Sequence, residues 1–239
     1  FVDLVGATGK REDVVLTSAI AIASRGTVEQ TADDVKISNL TMEITSASST
    51  GSNATEAAAY FPTTALANAA LTDVICQTEN SGVKSMRTFI EYAGTYTRVT
   101  AGDGSFSGTV SGTFTDCVGG NYSFDGTASG TFLRCVAGDS SFNGTVSGTF
   151  TDCVGGDYAF GFYDTVSGTF TDCVGGDYSF GPAATVSGTF TGCVASGTNS
   201  FGGSGGTVDA GAVFIRCLGA GTHMNTGTTR DCLDASNNR

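Results

Sequence analysis

The feature that most limits what this chain can become is an internal repeat of 18 residues, which settles architecture before any secondary structure is assigned. From Ser105 the chain reads SFSGTVSGTFTDCVGGNY, then SFDGTASGTFLRCVAGDS, then SFNGTVSGTFTDCVGGDY. The next copies, AFGFYDTVSGTFTDCVGGDY from Ala159 and SFGPAATVSGTFTGCV from Ser179, carry extra residues. From Ser200 the unit loosens to SFGGSGGTVDAGAVFIRCLGAGTH, and a partial copy, TGTTRDCL, runs from Thr226 to Leu233.

Aligning the copies produces three columns. One holds Phe106, Phe124, Phe142, Phe160, Phe180 and Phe201, and a second holds Phe114, Phe132, Phe150, Phe170, Phe190 and Phe214. The third holds Cys117, Cys135, Cys153, Cys173, Cys193, Cys217 and Cys232. Twelve of the sixteen Phe fall in two columns, so the aromatic content is organised by the repeat.

Within SGTFT, small or polar residues alternate with apolar ones, the period-2 pattern of a strand with one buried face. Eighteen residues are too few for a strand–helix–strand crossover and a further strand. They suit one coil of short strands, and coils stacked about 4.8 Å apart superimpose like residues. Each buried Phe removes about 150–250 Å² from water, worth at most about 4–6 kcal/mol before entropy. The expected fold is all-β: a right-handed parallel β-helix, or β-solenoid, with coils of about 18–24 residues. Coils of unequal length do not fit the rigid triangular plan of a left-handed hexapeptide solenoid. The Gly pairs after each Cys are expected at corners, through positive φ or close backbone approach.

One continuous solenoid is expected. Residues 1–104 form less regular coils, 105–223 the regular repeats, and 224–239 a partial coil and C-terminal cap or tail. β-Branched runs bounded by turn residues cover much of the first hundred residues, and Tyr96, Arg98 and Val99 take the slots that later hold Phe, Asp and Cys. Residues 47–70 break the pattern and read as a protruding loop, with room for a short Ala-rich helix. The chain opens at Phe1 without a signal-peptide pattern and reads as a piece trimmed from something longer.

Residues 2–45, with the run VKISNLTM, resemble the first coils of right-handed β-helix proteins of the pectate-lyase-like superfamily. The repeat and its TRDCLDASNN ending resemble Cys- and Gly-rich β-helix segments of phage and bacterial proteins, in which an SGTFT-C-VGG-SFGG unit recurs. That resemblance implies a fold and a tail-fibre or tail-spike setting. It does not imply one activity, because the superfamily spans lyases, hydrolases, adhesins and tail spikes.

Charge excludes some partners. With 11 Lys+Arg against 23 Asp+Glu the net charge is −12, which offers no basic stripe for nucleic acid. It also disfavours an anionic membrane surface, and no stretch approaches about 20 apolar residues, so membrane insertion is not expected.

The Cys column resembles chemistry at first sight. In a solenoid, however, neighbouring members sit one coil apart with parallel side chains, which does not favour disulfides, and there is no C-x-x-C. The expected state is a stack of free thiols acting as small hydrophobes, suited to assembly in a reducing compartment.

Before each Cys stand Asp116, Arg134, Asp152, Asp172, Gly192 and Arg216, a solvated ladder partly compensated by its Arg. A second acidic column comprises Asn121, Asp139, Asp157 and Asp177. Between Asp157 and Asp177 a Ca²⁺ ion could relieve repulsion, with water and side-chain mobility as the plainer alternative. No catalytic, cofactor-binding or metal-ligating residue is assigned. His223 has no evident partner, and GATGK at Gly6–Lys10 lacks the spacing of a phosphate loop.

Extra residues inserted after the first Phe column emerge at one corner, where repeat proteins usually place recognition. Phe162 and Tyr163 on that corner are the candidate contacts, for a sugar ring or another subunit. Outward Thr at Thr113/Thr115, Thr149/Thr151, Thr169/Thr171 and Thr189/Thr191 suggests an ice-binding array, interrupted by Leu133, Ile215 and Arg216. The leading expectation is a non-enzymatic structural or adhesive module of a virion or extracellular fibre. Its partners would be copies of itself, for instance in a trimer, other fibre proteins, or a surface glycan. A polysaccharide-degrading enzyme and an ice-binding protein are the alternatives.

Overall fold

The computed structural model describes residues 2–18, 26–29, 35–45, 57–61, 69–78, 86–88, 91–183, 185–197, 199–202, 205–219 and 228–234. It is a parallel β-solenoid with no helix among these residues. The largest sheet has 12 strands. It begins with Val2–Val5, Val35–Ile44, Ala70–Thr78 and Thr95–Ala101, with Val15–Ser18 also paired to Val35–Ile44. It then takes one strand from each coil: Thr113–Thr115, Thr131–Leu133, Thr149–Thr151, Thr169–Thr171, Thr189–Thr191, Val213–Ile215 and Thr228–Arg230.

Register within this sheet is exact from coil to coil. Phe114 pairs with Tyr96 on one side and Phe132 on the other, and the row continues through Phe150, Phe170, Phe190 and Phe214. Two further rows of pairing complete each coil. One passes through Val118, Val136, Val154, Val174, Val194, Leu218 and Leu233. The other links Val110, Ala128, Val146, Val166, Val186 and Val208.

The core is an aromatic ladder with two rails. Along each rail the rings stack in parallel: Phe124 and Phe142 lie 4.8 Å apart at 6°, and Phe132 and Phe150 4.6 Å apart at 3°. Between rails the rings meet edge to face, as Phe132 does with Phe142 at 5.4 Å and 87°. Both geometries suit the ring quadrupole. Phe106, Phe114, Phe124, Phe132, Phe142, Phe150, Phe160, Phe170, Phe180, Phe190, Phe201 and Phe214 are all buried. Cys117, Cys135, Cys153, Cys173, Cys193 and Cys217 are buried too, as is the Val110–Val208 row, a further apolar column.

Corners are built differently from the sequence expectation. Gly119 and Gly120 do not have positive φ; the left-handed positions are held mostly by residues with side chains. In one coil these are Tyr122 (φ 56), Phe124 (φ 54) and Arg134 (φ 52). The whole first Phe column is left-handed, a conformation that costs a non-Gly residue about 1–3 kcal/mol. Ring stacking and a paired backbone offset that cost: the amide of Phe124 donates to Ser105 O at 3.0 Å and that of Phe142 to Ser123 O at 3.0 Å. Glycine serves close approach instead, since a Cβ on Gly120 would lie 2.1 Å from Asp103 Oδ1.

Residues 47–70 also depart from expectation. Ala57–Phe61 is a strand, paired in parallel between Gly26–Glu29 and Met86–Thr88. Its Ala-rich composition is compatible with a strand because sheet neighbours decide strand stability more than intrinsic preference does. The remainder of that segment, except Ala69 and Ala70, lies outside the described residues.

Candidate functional surfaces

The thiol column is structural. All eight cysteines are free, and along the column the thiols donate to backbone one coil away: Cys117 Sγ to Tyr96 O at 3.3 Å, Cys135 to Phe114 O at 3.5 Å, and Cys153 to Phe132 O at 3.4 Å. Thiol neighbours, and then burial, raise the pKa of Cys135 and Cys173, in keeping with neutral thiols in the core. Cys76 stands apart, level with Met42 and Ala101, and burial alone raises its pKa.

The second acidic column is a hydrogen-bonded ladder. Asp103 Oδ1 accepts from the Asn121 amide at 2.8 Å, and Asn121 Oδ1 from the Asp139 amide at 2.8 Å. Asp139 Oδ1 accepts from the Asp157 amide at 2.9 Å, and Asp157 Oδ1 from the Asp177 amide at 2.8 Å. Each side chain thus caps a corner amide that the ladder of strands leaves over. Sequence reasoning saw the column but not this role, although the interchange of Asn with Asp at one slot is its signature, because both carry Oδ1. Among the described residues no group of three His, Cys, Asp or Glu side chains could hold a metal ion.

In the slot before Cys, Arg acts on one neighbour. Arg134 forms a two-point ion pair with Asp116 at 2.6 and 3.0 Å, and Arg98 repeats it with Asp73 at 2.5 and 2.7 Å. The Arg134 hydrogen bond holds the Asp116 carboxyl below its usual range, and Arg98 does the same for Asp73. Gly6–Lys10 is a turn whose Gly6 amide donates to Ser38 O at 2.9 Å. His223 lies outside the described residues.

At the insertion corner, Phe162 is half-buried and Tyr163 is 71% exposed. Their rings are 4.1 Å apart. Phe162 also meets Tyr158 edge to face at 4.8 Å, and Tyr158 stacks on Tyr178 at 5.2 Å and 9°. The sequence did not show that these tyrosines join Phe162 to make a base for Tyr163. Beside Tyr163 opens a cleft of about 280 Å³ lined also by Asp164, Thr165, Ala183, Thr185 and Thr207. Three inserted coils contribute to it, and the hydroxyls of Thr185 and Thr207 are 3.3 Å apart.

The Thr face is longer than the sequence suggested. Thr95, Thr113, Thr131, Thr149, Thr169 and Thr189 form an unbroken row, ended by Val213. The parallel row of Thr97, Thr115, Thr151, Thr171 and Thr191 is interrupted by Leu133 and ended by Ile215.

No protein family, curated protein or solved structure matches this chain in sequence or structure comparisons. Among the described residues no helix is long and apolar enough to cross a membrane.

Proposed function

We propose that this chain is a non-enzymatic shaft and contact module of a virion or extracellular fibre, with a surface glycan as the ligand of its insertion corner. The observation that carries this reading is Tyr163: a ring 71% exposed, backed by the Phe162, Tyr158 and Tyr178 cluster and bordering a hydroxyl-rich cleft. An aromatic face beside a few convergent hydroxyls and one carboxylate suits a sugar, which has apolar ring faces and a polar rim. The shaft reading draws support from the stacked core, which repeats without a break from Tyr96 to Phe214. Free buried thiols fit assembly in a reducing compartment before release.

Binding of the intact chain to arrayed neutral and acidic glycans, compared with Tyr163→Ala, tests the contact. Selective binding lost in the variant supports it. Depolymerisation of a bound glycan, abolished by substituting an Asp pair, would instead establish the enzyme reading. The unbroken Thr95–Thr189 row favours ice binding as a second reading, and thermal hysteresis reduced by Thr149→Lys would establish it.

A further inference from the structure

One outward column does not fit a solvated rod. Val118, Val136, Val154, Val174, Leu218 and Leu233 are each 37–43% exposed, and Val194, half-buried, completes the row. The other outward rows consist largely of Thr, which satisfies strand preference and water together. Here every rung from Val118 to Leu233 is aliphatic. A continuous exposed apolar surface of this kind marks an interface.

The N-terminal end of the row carries its own cover. Thr100, the rung before Val118, lines a groove of about 380 Å³ with Asp73, Arg98, Asp116 and Val118, and residues 9–12 also border it. Arg11 Nη1 donates there to Arg98 O at 3.0 Å and Thr100 Oγ1 at 3.3 Å. Asp116 and Val118 therefore face one groove, which places the charged slot alongside the aliphatic row.

We propose that the aliphatic row is the docking surface for a second copy of this chain, and that the two rods pack antiparallel. Charge selects the arrangement. A twofold axis perpendicular to the rods sets each charged column against its own copy, so its order can be tested for complementarity. That order is Asp116, Arg134, Asp152, Asp172, Gly192, Arg216, Asp231. With the axis between the Val174 and Val194 rungs, Asp172 faces Gly192, Asp152 faces Arg216, and Arg134 faces Asp231. A shift of one rung one way sets Arg134 against Arg216, and the other way Asp152 against Asp231. Of these three registers, which keep the longest overlap, only the central one avoids like charges. It brings Val136 to Leu233, Val154 to Leu218, and Val174 to Val194.

The size is adequate. Six rungs about 4.8 Å apart, on a face that runs about 17 Å from Asp116 to Asn121, bury at most about 500 Å² a side, or about 1,000 Å² in total, the size of a weak, dissociable interface. The homo-oligomer expected from the sequence thereby acquires a surface and an orientation, independent of whether Tyr163 binds a glycan.

Sedimentation equilibrium of the full chain from about 1 to about 100 µM, the range of weak association expected of a small interface, tests the proposal. The expected result is a monomer–dimer equilibrium. Val154→Asp, at an outward position that leaves the core intact by circular dichroism, should weaken it at least about tenfold. Arg216→Asp should weaken it as well, and Asp152→Arg in the same chain should restore it. A monomer at about 100 µM leaves the row to another partner and overturns the proposal, as does a dimer indifferent to Val154→Asp. Failure of Arg216→Asp to weaken the dimer, or of Asp152→Arg to restore it, overturns the antiparallel register.

Discussion

The Oδ1 atom of Asp139 accepts a hydrogen bond from the backbone amide of Asp157, 2.9 Å away and one coil further along the chain. The same contact recurs from Asp103 to Asp177, so an apparently acidic column is a line of caps for corner amides. Oxygen is what the contact requires, and charge is incidental to it. Asp139→Asn should therefore leave stability within about 0.5 kcal/mol, whereas Asp139→Ala should cost about 1 kcal/mol by orphaning the Asp157 amide. Urea denaturation of the two variants distinguishes these outcomes; equal losses would show that charge, and not capping, matters there.

The two Phe columns should respond oppositely to glycine. Phe150 lies in a strand, and Phe142 has φ 50. Truncation to Ala at either site removes a fully buried ring and should cost about 3–5 kcal/mol. At position 150, Gly should be worse than Ala by about 0.5–1 kcal/mol, because Gly loses more backbone entropy. At position 142, Gly should be better than Ala, since Ala retains the left-handed penalty. Denaturation midpoints of the four variants provide the check.

Acid should weaken the molecule partly through Asp73. Arg98 depresses the Asp73 pKa in the folded state, so between that value and the unfolded value near 4 the unfolded chain binds more protons. Stability in this window rises with pH. The contribution is fully present above about pH 4 and is lost as pH falls through the folded pKa. Exposure of the pair keeps the effect small. Asp73→Asn should flatten the slope of denaturation midpoint against pH below about 4. An unchanged slope would show that the pair is not formed in solution.

Thiol labelling should separate the column from its end. Cys232 is only half-buried, whereas the other seven cysteines are buried. In the native protein one thiol should react promptly and seven slowly; after denaturation without reductant, all eight should react. A deficit after denaturation would indicate disulfides and contradict the free column.

Much of the interior was legible because the repeat carries it. Phe114, Phe132 and Cys117 recur at one spacing, and stacking like on like leaves a single register that buries them all. The corners were not legible. Nothing in Tyr122-Ser123-Phe124 announces two left-handed residues, since the preference belongs to the stacked neighbours and not to the tripeptide. The strand at Ala57–Phe61 was hidden for a related reason: its partners, Gly26–Glu29 and Met86–Thr88, lie far along the chain. The corner aromatics were half legible. Phe162 and Tyr163 stood out in the insertion, but Tyr158 and Tyr178 resembled ordinary repeat positions until packing brought them under Phe162.

By itself the sequence determined a solenoid, its approximate coil length and its stacked core, because periodicity of apolar side chains is a one-dimensional property. Only the tertiary structure decided what the outward residues do. Whether an Asp is a cap or an ion-pair partner, and whether a Val is covered or bare, depends on atoms one coil away. Those neighbours are about 18 residues distant in the chain but only about 4.8 Å distant in space.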